Sequence, residues 1–297
     1  MTGDGREQRF DSPVTIVVVT RDRRDELMRT LARIRDASPV SPIIVVDNRS
    51  SDGTPATVRR ADLDGVTVLE APRNLGGAGR TLGVRHASTP YVAFSDDDSW
   101  WAPGALDRAA AVFDACPRLA LLAARVLVAA DERVDPTCRE MQASALPREP
   151  DLPGPAVLGF LACGAVVRRD AYLGAGGFHE VLGVGGEEEL LALDLARAGW
   201  GLAYVDEVVA YHHPSAVRDP RARRRRHGAN RVLVTWLRRP GRVVLARTAA
   251  AVLAGRDSRL AVVDALAALP VVLRDRQVIG PSLESRVRLL EASDDRR

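Results

Sequence analysis

Over the first hundred residues, short apolar runs alternate with amphipathic ones at a regular spacing. Val14-Thr15-Ile16-Val17-Val18-Val19 is a continuous, mostly β-branched run, which suits a strand buried on both faces. A polar turn, Thr20-Arg21-Asp22-Arg23, follows it. Leu27, Leu31 and Ile34 then mark one stripe of a helix over 26–36. A second strand is predicted at 43–46, and Pro55 can open the next helix. A third strand at 66–69 leads through the loop 72–80 into a helix containing Val84 and His86. Tyr91-Val92-Ala93-Phe94-Ser95 reads as a fourth buried strand. This alternation, without an internal repeat, predicts a parallel α/β sheet.

Beyond Pro103 the pattern predicts an Ala-rich helix to about Cys116 and an apolar stretch over 119–130. The polar, Pro-containing segment 131–155 reads as an excursion or mobile loop. A strand is predicted over 158–168, and a helix from Glu187 to Arg197 that Gly199 stops. Two short strands, 202–205 and 208–211, close on His212-His213. The basic run Arg221–Arg226 precedes three predicted helices, 230–238, 243–254 and 258–274, and Pro270 should kink or end the third.

The length of 297 residues allows one sizeable core with an appendage, and the composition is that of an ordinary soluble globular protein. No apolar run is long enough to span a bilayer, and residues 1–11 lack a signal-peptide core. Cys116, Cys138 and Cys163 have neither metal nor redox spacing, which predicts a reducing, cytoplasmic setting. Charge changes the picture more. Residues 218–297 hold 19 Arg against 8 acids, whereas 1–217 hold 23 Arg against 31 acids. An acidic domain over 1–217 followed by a basic helical region over 218–297 suggests catalysis in front and an anionic partner behind. The basic run lacks interleaved aromatics, so a nucleic-acid partner is not expected.

The candidate chemistry sits where strands end. Asp96-Asp97-Asp98 follows the fourth strand, and three clustered carboxylates call for a counter-ion such as Mg²⁺ or Mn²⁺. Alternation along an extended backbone points Asp96 and Asp98 the same way, with Asp97 turned aside. An acidic loop before Pro103 and a helix is the plainer account of the same residues. Thr20-Arg21-Asp22 and Asp47-Asn48 follow two other strands, and in an open parallel sheet such loops line one crevice. An Asp there can accept hydrogen bonds from a nucleobase or ribose, although Asp-Asn also makes ordinary turns. The glycines of 76–83 do not fit a dinucleotide fingerprint, because Gly83 comes one residue late. Small residues packing against a sugar nucleotide, or simply turning the chain, account for them better. Glu187-Glu188-Glu189 at a helix start is favoured by the macrodipole, and a carboxylate among carboxylates also has the raised proton affinity of a general base. His212 and His213 are metal ligands or ordinary core and surface histidines.

Together, residues 17–23, 45–54, 74–80 and the aspartate triplet resemble the family-2 glycosyltransferases in order and spacing over about 14–98. Gly176-Gly177-Phe178, the glutamates and the histidines extend the likeness to about Ser215. The resemblance implies a Rossmann-like nucleotide-diphospho-sugar transferase (GT-A) fold with a mostly parallel central sheet and, here, a C-terminal helical appendage. It implies metal-dependent inverting transfer of a hexose or deoxyhexose from a nucleotide-diphosphate donor to an acceptor hydroxyl. Asp47 would contact the nucleotide base, and Thr20, Arg21, Asp22, Asn48, Asn74, Gly76, Arg80 and Asp97 complete the expected donor-binding set. Asp96 and Asp98 would frame the metal, with His212 or His213 as further ligands. The general base carries over to Glu188, with Glu187 beside it, although Leu190 and Asp194 depart from the acid spacing of many relatives. The closest likeness is to bacterial rhamnosyl- and galactofuranosyltransferase-like members that build cell-surface glycans. A glycan or lipid-linked acceptor, peripheral contact with the anionic inner face of the membrane and a homo-oligomer are compatible with this. A nucleotidyltransferase is the alternative enzyme class, but 20–22 lacks the glycines it would need. A nucleic-acid-binding protein using Arg221–Arg226 is the non-enzyme alternative.

Overall fold

The structure is a computed structural model that describes residues 10–214 and 220–294. Its first half is the predicted alternation: β1 (Val14–Thr20), α1 (Arg24–Ala37), β2 (Ile43–Asp47), α2 (Thr54–Arg60), β3 (Val66–Glu70), α3 (Gly79–His86) and β4 (Tyr91–Asp96). There follow β5 (Ser99–Trp101), α4 (Ala105–Ala115), β6 (Leu119–Val128), β7 (Arg133–Val134), α5 (Pro136–Gln142), β8 (Ala165–Arg168), α6 (Arg169–Gly174), α7 (Glu187–Arg197) and β9 (Gly201–His212). The C-terminal helices are α8 (Pro220–Arg238), α9 (Gly241–Leu253), α10 (Arg256–Leu266), α11 (Leu269–Asp275) and α12 (Pro281–Asp294).

One sheet runs β3-β2-β1-β4-β8-β6-β9-β5, with β7 paired to β6. β3, β2, β1 and β4 are parallel, as are β6 and β9, whereas β8 is antiparallel to both its neighbours. Every residue of β1 and β2 is buried except Val19, as a strand covered on both faces requires. One apolar layer joins Val17 and Val46 to Val84 of α3, and the other joins Ile16, Val18 and Val45 to Leu27, Leu31 and Ile34 of α1. β1 is flanked by β2 on one side and β4 on the other, so chain direction around the sheet reverses there. A crevice opens at the carboxyl ends of those strands, the usual place for a ligand in an open α/β sheet.

Several expectations are corrected. The two strands predicted at 202–205 and 208–211 are one, β9, whose pairing with β6 slips between Val205 and Val209. A bulge there looks like a break in sequence because it interrupts the alternation. Of the strand predicted over 158–168, only Ala165–Arg168 is extended. The excursion 131–155 contains β7 and α5, whose first turn Asp135 caps through Thr137 N–H at 2.8 Å. α8 begins at Pro220, so the backbone of the basic run is already helical. The long helix expected over 258–274 breaks into α10 and α11, with Pro270 in the first turn of α11, where its missing N–H costs nothing. α12 was not predicted.

The boundary expected at 217/218 lies outside the described residues. On either side of it the apolar core is continuous: Leu190 and Leu193 of α7 share a cluster with Leu233, Val234 and Leu237 of α8. Arg238 of α8 makes a buried two-point contact with Asp194 of α7, and Arg239 does the same with Glu284 of α12. Part of the basic charge of the tail, at Arg238 and Arg239, is therefore spent inside the molecule. No described helix is long and apolar enough to cross a membrane.

Candidate active site

Three loops meet at the crevice because parallel register sets their strand ends level. Thr20 of β1 is paired with Asp47 of β2, and Asn48 N–H donates to Thr20 O at 2.9 Å. Asp22 adopts φ 52° and accepts from Ser51 N–H at 2.6 Å and Ser51 Oγ at 3.0 Å, which locks the first loop to the second. The backbone bond comes first among the influences that lower its pKa. Arg21, beside it, is exposed. Asp47 Oδ2 accepts from Ser50 N–H at 2.8 Å, while its buried Oδ1 has no hydrogen-bond partner. A buried carboxylate oxygen left open is costly, and a nucleobase N–H or ribose hydroxyl would satisfy it.

Asn48, Asn74 and Gly76 shape the third loop. Asn48 accepts from Leu75 N–H and donates to Gly76 O, both at 3.1 Å, and Asn74 Oδ1 accepts from Gly76 N–H at 3.0 Å. Gly76 has φ 58°, and a Cβ there would stand 2.5 Å from Gly183 O. Gly77 N–H donates to that same oxygen at 2.6 Å. This close approach holds the loop against the segment that starts α7 and brings Gly77 onto the Glu187 carboxylate.

The aspartate triplet is not an extended strand. β4 ends at Asp96 and the chain turns at Asp97–Asp98 into β5, so strict alternation does not govern these side chains. Asp97 accepts from Thr20 Oγ1 at 3.0 Å and pairs with Arg23 at 2.7 Å. Burial raises its pKa to about 7 despite that guanidinium. Asp97 is thus used inside the fold, to hold β1 to β4. Asp98 pairs with Arg23 at 3.0 Å and lies 3.3 Å from His212 Nε2. Burial raises its proton affinity, but His212 and Arg23 outweigh burial and bring it to about 2. Asp96 pairs with the buried Arg80. Arg23 and Arg80 supply positive charge to the triplet, so charge balance is not by itself what would call for a metal. Neither position announces this in sequence, because Arg23 lies in the turn before α1 and Arg80 opens α3.

Ligand atoms of Asp96, Cys163 and His212 lie within 4.8 Å of one another. Burial raises the Cys163 thiol well above its ordinary value, which keeps it protonated, and sulfur is a poor ligand for a hard cation. Asp98, ionised and against His212, supplies a second carboxylate. The Asp96 carboxylate and the His212 imidazole, with Asp98 beside His212, are donors that would suit a divalent ion of the Mn²⁺ kind. His213 is placed differently: its ring packs edge-on to Trp100 at 4.7 Å, and its N–H donates to Asp98 O at 2.9 Å. Cys163 is a neighbour the sequence did not single out, since its strand and loop join the site only through the β4–β8 pairing.

α7 presents its glutamates from the far side. Gly186, at φ 91°, starts the helix, and Glu187 turns back toward Gly77 and Arg80 with its Oε2 buried and without a hydrogen bond. Arg80 lies within the field of Asp96, Glu187 and Glu188, so one guanidinium links the triplet to the glutamates. Glu188 is half-buried, and its pKa is raised, first by desolvation and then by the charge of Glu187. It lines a cavity of about 890 Å³ between α7 and the C-terminal helices. Glu189 lines the same cavity, and burial raises it too.

Donor-facing loops at a β1/β4 switch point, a carboxylate turn and a glutamate-headed helix opposite define a glycosyltransferase of the GT-A fold. Comparison with known proteins agrees. The profile of Glycosyl transferase family 2 matches residues 15–173. The chain belongs to that family. A Mycobacterium tuberculosis protein named N-acetylglucosaminyl-diphospho-decaprenol L-rhamnosyltransferase is 29% identical over 243 residues, 69% of this chain and 78% of the relative. The mannosyltransferase PcManGT of Pyrobaculum calidifontis, solved with GDP-Man and Mn²⁺, superimposes with a TM-score of 0.58 at 21% identity, covering 95% of this chain and 86% of that one. GalNAc-T7, solved with UDP, GalNAc and Mn²⁺, gives 0.59 at 14% identity, over 76% of this chain and 48% of that one. At such identities these structures share the fold.

Proposed function

We propose that this glycosyltransferase moves a deoxyhexose or hexose, with inversion, from a nucleotide-diphosphate donor to a hydroxyl of a lipid-linked acceptor in cell-surface glycan synthesis. The observation that carries the reading is Glu188: a half-buried carboxylate of raised proton affinity that faces a cavity, next to Glu187 and within the field of Arg80. The base removes the acceptor proton as the hydroxyl attacks the anomeric carbon from the face opposite the leaving diphosphate. Asp47 and the loops at Thr20 and Asn48 hold the nucleoside. Asp96, Asp98 and His212 would hold a divalent ion, which when bound stabilises the negative charge of the departing diphosphate.

The mycobacterial relative supports the acceptor class, because its name specifies a decaprenol diphosphate acceptor and L-rhamnose transfer. A lipid-linked acceptor is consistent with peripheral contact at the membrane. The outer surface of α9 suits that place. Leu245 and Leu253 are 75% and 84% exposed, Val252 is exposed between them, and α9 carries two Arg and no acid. The test is to incubate the protein with dTDP- and UDP-sugars and a lipid-diphosphate sugar acceptor, and to read product anomeric configuration by NMR. Acceptor-dependent nucleotide release with inversion is the expected result, and retention of configuration would refute it.

A further inference from the structure

The cavity beside Glu188 is larger than a single sugar needs. Its volume of about 890 Å³ is toward the upper end of the ~300–1,000 Å³ typical of small-molecule sites. Glu188 stands at the α7 side. Across from it, Val232 and Trp236 of α8, Ala251 of α9 and Leu290 of α12 form a wall that transfer chemistry does not require. Trp236 satisfies its only polar atom by donating from Nε1 to Thr248 Oγ1 at 2.9 Å, so what it adds to the cavity is apolar. Arg247 on this wall is paired with Glu291 at 2.6 Å, and Glu140 and Glu189 also line the cavity. Arg231, at the rim one turn before Thr235, is exposed and makes no ion pair among the described residues. Apolar wall, exposed rim cation and base at the inner end match an amphiphile with a sugar, a phosphate and a hydrocarbon chain in sequence.

We propose that the C-terminal helices form the lipid subsite of the acceptor, with the hydrocarbon chain against Val232, Trp236, Ala251 and Leu290 and the phosphate at Arg231. This rests on the reading of Glu188 as the base that faces the acceptor, but its test does not. The ordinary role for these helices would be to pack on the catalytic domain. They do so through Leu233, Val234, Trp236 and Leu237 of α8, with Val232, Ala251 and Leu290 packed against the same cluster. Val232, Trp236, Ala251 and Leu290 also line the cavity, so their packing leaves part of each facing that space.

Binding is read without donor or turnover, by quenching of tryptophan emission in the full-length protein. The probe is a long-chain alkyl phosphate brominated in mid-chain, kept below its critical micelle concentration, with methyl phosphate as the chainless control. Bromine quenches only at contact, and Trp236 is one of four tryptophans in the chain. Saturable partial quenching is expected in the wild type, and competition by the unbrominated chain but not by methyl phosphate. Trp236→Phe should abolish the signal. Val232→Phe and Ala251→Phe, which fill the cavity from two different helices, should each weaken binding at least tenfold. Arg231→Gln should weaken the alkyl phosphate and leave the corresponding alcohol unchanged. Circular dichroism and urea midpoints confirm that each variant is folded. No quenching in the wild type, quenching that survives Trp236→Phe, or full affinity in both filled variants would overturn the proposal. Glu188→Gln should bind the probe as the wild type does. An active Glu188→Gln enzyme with normal quenching would remove the base assignment and keep the lipid subsite, so the two readings fail separately.

Discussion

At the residue scale, the site is a chain of charges in which each position tunes the next. Arg80 lies between Asp96 and the α7 glutamates, and Glu187 lies between Arg80 and Glu188. Glu188→Gln should abolish transfer and leave donor binding nearly intact, because the base acts on the acceptor and not on the nucleotide. Titration calorimetry with the nucleotide beside a transfer assay checks this. The pH profile follows from the direction of the shift. A base works only when deprotonated, so a raised Glu188 places the acid limb of kcat/KM above the ordinary glutamate range. Glu187→Gln removes a neighbouring negative charge, lowers the proton affinity of Glu188 and should move that limb to lower pH. A limb that stays in place would show that Glu187 does not act on the base. For the metal, Asp98→Asn should weaken Mn²⁺ binding, measured by electron paramagnetic resonance, whereas His213→Ala should not, since that ring packs on Trp100.

At the element scale, the junction of α8 with α12 is held by an ion pair that behaves as core. Arg239 and Glu284 are both nearly inaccessible, and Arg239 reaches Glu291 as well. Removing one partner of such a pair strands a buried charge and costs about 3–5 kcal/mol. Glu284→Gln should fall at the lower end of that range, because Glu291 remains beside Arg239. Replacing both residues, Arg239→Met with Glu284→Leu, should cost less than Glu284→Gln alone, and urea unfolding of the three proteins decides it. The pair also carries a pH dependence. Burial raises the Glu284 carboxyl, but bonds from Arg239 and Arg288 outweigh burial and leave it below its ordinary 4.5. A carboxylate lowered by folding stabilises the protein fully above the ordinary value, and this is lost as pH falls through the lowered one. Stability should therefore drop more steeply below pH 4.5 in the wild type than in Glu284→Gln.

At the scale of the whole molecule, the uneven charge is resolved in two ways. Part of the tail's Arg excess is neutralised against the catalytic domain and within the tail, as at Arg238–Asp194, Arg286–Glu149 and Arg225–Asp264. Among the described residues, exposed Arg242 and Arg256 bracket Leu245, Val252 and Leu253 on and beside α9. Two copies meeting through this face would press arginines together without a carboxylate on α9 between them, so an anionic lipid surface is the better match. Each such residue near an anionic bilayer contributes about 1 kcal/mol. The protein should sediment with anionic vesicles at low salt, release at high salt and ignore neutral vesicles. Leu245→Glu with Leu253→Glu should halve or abolish the bound fraction, and equal binding to both vesicle types would exclude this surface.

Local pattern alone determined the alternation of β1 to β4 with their helices, because buried parallel strands are continuous apolar runs and helices carry a 3.6-residue stripe. It also determined the order of the donor loops, since polar residues past such strands have one place to go. Tertiary structure decided everything that depends on residues distant in sequence. The join of β9 across its bulge, the placing of Cys163 and His212 beside Asp96, and the counter-charges from Arg23 and Arg80 are of this kind. The fate of the basic tail is the largest case. Its amphipathic pattern and net charge are the same whether it lies on a membrane, a partner or its own chain. Only three-dimensional packing shows which arginines face carboxylates and which face outward, because an ion pair depends on distance and local sequence does not encode it.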